Sequence, residues 1–145
     1  NKADMGSLSF LDDLVKAGMY TEDQKVQIVV NFGTNSFLKS KPTMSQAHRV
    51  RTVMQANYFM NEGAIKVNDE GKIEIDIEKM VPTARKMLTE IIEVQLSGDF
   101  KTAENFINTY FVWTDANETI AKELREVSKT LNGVVVSPLE EELLK

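Results

Sequence analysis

Few side chains in this chain can do chemistry. His48 is the only histidine, and there is no cysteine. His48 opens a segment with helical spacing and stands beside Arg49 and close to Arg51. At the rim of a cleft, an imidazole can make a polar contact to a ligand; away from one, a lone histidine is a surface or capping residue. Arg49 and Arg51, with Lys39 and Lys41, could form a small basic patch, and the guanidinium fork suits a carboxylate or phosphate. The competing reading of that patch is solvated charge on an exposed face. Glu90 and Glu93 lie one turn apart, while Asp12-Asp13 and Glu140 to Glu142 are simple runs. Paired carboxylates act as acid and base only when their surroundings separate their pKa values, so these are expected to be solvated charge. Asn68-Asp69-Glu70-Gly71 is too short for a calcium loop. Phe106, Tyr110, Phe111 and Trp113 have the spacing of core packing rather than of a ligand box. Asn117-Glu118-Thr119 fits a glycosylation acceptor and is expected to be a chance match.

Composition narrows the classes further. The chain has 145 residues, of a size for one domain with a real core. Without cysteine, disulfides, thiolate zinc sites, iron–sulfur clusters and cysteine nucleophiles are all excluded. With 22 acidic against 17 basic residues, the net charge of −5 argues against a nucleic-acid partner. No apolar run approaches the roughly 18 residues of a membrane span, so no membrane partner is expected. No dinucleotide loop, Walker lysine loop, nucleophile elbow or H-E-x-x-H is present. The chain opens at Asn1 rather than Met, and is expected to be a piece of something longer.

The elements that must position these residues are legible in the punctuation. Ser7 or Ser9 can cap a short helix carrying Phe10, Leu11, Leu14 and Val15, closed by Gly18. Thr21 with Gln24 has the pattern of a capping box, opening a helix with Val26, Val29 and Val30 on one stripe. Thr43 with Gln46 repeats that pattern ahead of a long helix ending at Gly63, in which Ala47, Val50, Met54 and Tyr58 form the stripe. Ile65, Val67, Ile73 and Ile75 alternate with polar residues around a glycine turn, which predicts a β-hairpin. A helix over 78–96 follows, with Pro82 in its first turn. Asp99 caps a shorter helix, and Thr114 or Asp115 caps a further one stopped by Asn132-Gly133. Val134 to Val136 is expected to be extended. Residues 1–6 and 139–145 are expected to be poorly ordered. The fold class is mainly α: a single helical domain over 1–145 of about five or six helices with one small β-hairpin.

Some of these residues resemble a known family. Ser45-Gln46-Ala47-His48, followed about four turns later by Asn61-Glu62-Gly63-Ala64, is similar to a stretch of the dipeptidyl peptidase III zinc metallopeptidases. The likeness continues through Leu96-Ser97-Gly98-Asp99-Phe100, Tyr110 and Thr114-Asp115 to Val134-Val135-Val136-Ser137-Pro138. The resemblance implies a C-terminal portion of the helical, zinc-bearing lobe of an enzyme that removes dipeptides from peptide N-termini. It implies zinc in the parent enzyme and none in this chain, because the H-E-x-x-G-H and E-E-x-R-A-D type motifs would lie upstream. It also implies that His48 contacts the substrate and its transition state, and that Arg51 does so with a one-residue shift. No catalytic residue and no metal ligand is expected here. The expected partners are the remainder of the parent polypeptide and a peptide substrate. The family has an arginine near Asn132 and Gly133, so a relative without peptidase activity is an open alternative. Apart from the resemblance, the alternative is a non-catalytic helical protein-interaction or ligand-binding domain. The lack of cysteine fits the cytoplasm without excluding a periplasmic location.

Overall fold

The structure is a computed structural model that describes residues 1–68 and 70–131. Among these the elements run α1 (Lys2–Ser9), α2 (Leu11–Lys16), α3 (Glu22–Asn35), α4 (Ala47–Asn61), β1 (Ile65–Val67), β2 (Ile73–Ile75), α5 (Ile77–Ser97), α6 (Phe100–Tyr110) and α7 (Asp115–Leu131). The fold is mainly α with one antiparallel hairpin, as the periodicity predicts. The expected stop at Asn132-Gly133, the extended Val134 to Val136 and the tail at 139–145 lie outside the described residues.

Local chemistry sets most of the boundaries. The Thr21–Gln24 capping box is complete, each side chain accepting from the other residue's backbone N–H. Asp76 caps α5 through the Lys79 N–H, and Asp99 caps α6 through the Thr102 N–H. Thr114 and Asn117 satisfy each other's backbone N–H groups at the start of α7. Gly98 ends α5 at φ 60°, a left-handed conformation costly for a residue with a side chain. The hairpin pairs Ile65 with Ile75, Lys66 with Glu74 and Val67 with Ile73. That register puts its four apolar residues on the side facing the helices. Gly33 lets α3 approach it: a Cβ there would stand 2.6 Å from Ile75 Cδ1.

Other boundaries and faces depart from expectation. Residues 1–6 are not loose: Asn1 stands at the N-terminal end of α1, Lys2 to Gly6 lie within it, and Met5 is wholly buried. Packing of α1 along α5 supplies the order that the polar composition of this stretch does not suggest. Ser7 and Ser9 cap nothing, because their hydroxyls donate back to the Ala3 and Gly6 carbonyls inside α1. The break falls at Phe10 instead, giving two short helices in place of one. Arg85 ties that break to α5, reaching the Ser9 carbonyl at 2.7 Å and Asp13 at 2.9 Å. On α3 the core side carries Ile28, Val29, Phe32 and Gly33, while Val26 and Val30 point outward. Pro82 lies at the sixth residue of α5, past the first turn, and is tolerated on an exposed side of the helix. The helix there forgoes the bond that Glu78 C=O would otherwise accept.

The core sits where α1, α5 and the second half of α4 meet, with Leu8, Phe59, Ile65, Met80, Ala84 and Met87 among its members. In α4 the expected single stripe is instead a fully enclosed segment. Every residue from Val53 to Phe59 is buried. The polar ones bond across the fold: Gln55 Nε2 donates to Asp4 at 2.8 Å, and Asn57 Nδ2 donates to the carbonyls of Tyr110 and Val112, while Asn57 Oδ1 has no hydrogen-bond partner among the described residues.

Candidate functional site

The first half of α4 is different, because it is exposed along one side. The Thr43–Gln46 capping box forms only in part. Gln46 Oε1 accepts from the Thr43 N–H, but the Thr43 hydroxyl turns to Ser45, and the helix starts at Ala47 with no side-chain cap. His48 is therefore the second residue of α4, within its first turn rather than one turn in. It is exposed and faces an apolar groove of about 540 Å³.

Three helices build that groove. Val50 and Met54 of α4 and Ile91 of α5 line it, Val94 of α5 with Phe106 and Ile107 of α6 add to its apolar surface, and Met44 joins from the preceding loop. Arg51 lines the same groove one turn along from His48, as spacing of three on a helix dictates. The guanidinium is partly committed: Nη1 stands 3.2 Å from Asp4 Oδ2, the oxygen that also accepts from Gln55. Its Nε is buried without a hydrogen-bond partner among the described residues. Arg51 also borders a smaller, more polar pocket of about 360 Å³ with Asp4, Asn31 and Gln55. The arrangement offers a donor pair, His48 and Arg51, beside an apolar trough. It can hold a ligand that carries both a carbonyl or carboxylate and an apolar side chain.

Arg49 does not join them. Two residues from Arg51 is more than half a turn around the helix, and Arg49 instead donates to Ser40, at 2.9 Å to its carbonyl and 2.8 Å to its hydroxyl. Lys39 contributes its backbone carbonyl to Arg125 at 2.7 Å. The basic patch of Lys39, Lys41, Arg49 and Arg51 is thus not assembled as one anion site. Arg125 also pairs with Glu118 at 2.9 Å, and the other Glu118 oxygen accepts from the Trp113 indole at 2.8 Å. Trp113 and Arg125 hold the Glu118 carboxyl below its ordinary range.

The remaining candidates resolve individually. Glu90 is not merely solvated, since it accepts a 2.6 Å hydrogen bond from the buried Tyr58 hydroxyl. Burial first, then Glu90, pushes the Tyr58 phenol well above its ordinary value. Glu93 is exposed, Asp12 pairs with Lys25 and Asp13 with Arg85. Glu140 to Glu142 lie outside the described residues. Asn117 is buried and occupied in capping α7, so its glycosylation pattern is a chance match. Of the aromatics, Tyr110 and Phe106 stack on each other and Tyr110 on Tyr58, yet no residue of α6 is fully buried. Phe106 serves both the core edge and the groove. Nothing in its spacing distinguishes those two roles, and Met44 and Val94 carried no sequence signal at all.

Among the described residues, no group of three or more His, Cys, Asp or Glu side chains is placed to hold a metal ion.

Comparisons with known proteins bear on the fold. No protein-family model matches the chain. Nudix hydrolase 3 of Arabidopsis thaliana is 24% identical over 143 residues, which are 99% of this chain and 18% of that protein. The structure of DPP III from Caldithrix abyssi superimposes with a TM-score of 0.77 at 23% identity, over 86% of this chain and 24% of that one. The chain thus spans about a fifth to a quarter of the length of these relatives. Its fold is that of a helical segment of DPP III.

Proposed function

We propose that this chain is the C-terminal helical part of a zinc-dependent dipeptidyl peptidase III-like metallopeptidase, bordering its substrate cleft. In this reading it contributes His48 and Arg51 to peptide binding, and the zinc and its ligands belong to the remainder of the parent polypeptide. The observation that carries the reading is the DPP III likeness across 86% of the chain, and the His48–Arg51 groove adds support. The His48 N–H donates to the peptide carbonyl and strengthens that bond as negative charge develops on the oxygen, a contribution of about 2–4 kcal/mol to the barrier. Arg51, which lines the same groove, offers a second donor to the same peptide.

The test is made in the full-length parent. His48→Ala should lower kcat by about 10²–10³-fold while zinc content stays at the wild-type level. A joint loss of zinc and activity would refute the assignment, because it would place His48 in the metal site. Metal analysis of the 145-residue chain should find no stoichiometric zinc.

A second reading, a non-catalytic interaction domain, is favoured by one observation. Leu96 and Phe100, either side of the α5–α6 corner, are 80% and 79% exposed, with Ile92 one turn before. Concentration-dependent sedimentation of the chain would support it, and a strict monomer that captures no partner would count against it.

A further inference from the structure

The first turn of α4 holds His48 but has no side-chain cap of its own, so something else must fix where it starts. The structure supplies that from other elements. Arg49, the residue after His48, reaches back to the carbonyl and hydroxyl of Ser40 in the connection between α3 and α4. The neighbouring carbonyl, that of Lys39, accepts at 2.7 Å from Arg125 of α7. Two consecutive residues of this connection are therefore held by arginines from two different helices. Arg125 is itself aimed by Glu118, one turn pair earlier on α7, and the second oxygen of Glu118 is taken by the indole of Trp113. The relay runs Trp113, Glu118, Arg125, Lys39–Ser40, Arg49, and ends one residue from His48.

We infer that Arg125, aimed by Glu118, is a positioning residue that sets the place of His48 at the groove. This rests on the reading of His48 as a substrate contact. The planar guanidinium is suited to the task because one fork serves two acceptors on different elements; a lysine ammonium has no such fixed geometry. Arg125 is 41% exposed, and its substitution leaves the core untouched. Its loss therefore acts on where the connection lies rather than on whether the chain folds.

The chain carries one histidine and one tryptophan: Trp113 opens the relay, and His48 adjoins Arg49 at its other end. Each therefore gives a single, unambiguously assigned set of ring resonances in an NMR spectrum of the isotopically labelled chain. In Arg125→Ala and in Glu118→Gln, both the Trp113 indole and the His48 imidazole resonances should shift or broaden. Arg125→Lys should restore neither fully. Lys129→Ala, which removes a surface ion pair of the same helix, should leave both in place. A shift confined to Trp113 would overturn the inference, since the network would then only brace α7. In the full-length parent, Arg125→Ala should lower kcat about tenfold with a smaller change in KM and an unchanged melting temperature. The two readings fail separately. If His48→Ala leaves kcat intact, the assignment of His48 to the substrate falls. If His48→Ala lowers kcat while Arg125→Ala changes neither kcat nor the His48 resonance, the positioning role alone falls.

Discussion

The two halves of α4 are held by different physics. From Val53 to Phe59 the helix is enclosed on every side, and its place follows from the shape of the core around it. From Ala47 to Arg51 it borders an open groove, without a side-chain cap, and its place follows from a few directed bonds to Ser40 and Asp4. A packed segment is over-determined, so its side chains have no freedom to meet a ligand. An open segment keeps its donors available, and in exchange depends on a handful of contacts, any of which can be removed one at a time. The proposed peptide contacts, His48 and Arg51, lie at the open end.

Substitutions along α4 can break or sharpen this contrast. Phe59→Ala, at a wholly buried site packed on Phe32, should cost about 3–5 kcal/mol in denaturant unfolding. A cost below 1 kcal/mol would mean that the enclosed half is not close-packed. Asn57→Ala should follow at about 2–3 kcal/mol, because it strands the Tyr110 and Val112 carbonyls in the link from α6 to α7.

Tyr58→Phe should cost about 1–1.5 kcal/mol at neutral pH by removing the hydroxyl that serves Glu90. It also carries a pH signature. The folded chain keeps the Tyr58 proton to a higher pH than the unfolded chain, whose phenols titrate near pH 10. The raised value therefore stabilises fully below that pH, and stability falls as pH rises past it, by about 1.4 kcal/mol per unit for one group. Tyr110 is shifted in the same direction, mainly by burial. Unfolding measured between about pH 9.5 and 11 should show a shallower fall in Tyr58→Phe than in the wild type. An equal slope would assign the retained proton elsewhere.

At the open end, His48→Ala should change stability by less than about 0.5 kcal/mol, the smallest effect of the series. A loss above 1 kcal/mol would show that His48 is a structural residue, and the contrast between the two halves would fail.

Much of the scaffold was legible because its signals are local. The Thr21–Gln24 box, the Asp99 cap and the left-handed Gly98 each act within a few residues, and the hairpin alternation needs only its own two strands. The start of α4 was misread for the opposite reason. Thr43 and Gln46 have the residue types of a capping box, but the Thr43 hydroxyl bonds Ser45, and the helix begins a turn later. Residues 1–6 look polar and loose until α5 is laid against Met5. The grouping of Arg49 with Arg51 ignored that neighbours two apart on a helix face different ways.

The sequence by itself determined the mainly helical class, the hairpin, most helix starts, and His48 as the residue to watch. These follow from periodicity, capping chemistry and the scarcity of reactive side chains. Only the tertiary structure decided that His48 and Arg51 share a groove with Phe106 of α6. It also decided that Arg49 turns to Ser40, and that Trp113, Glu118 and Arg125 reach the connection ahead of α4. The bonds of Arg49 and Arg125 to this connection span 9 and 86 positions, and no pattern within a single helix encodes which of its exposed polar groups will find a carbonyl on another element.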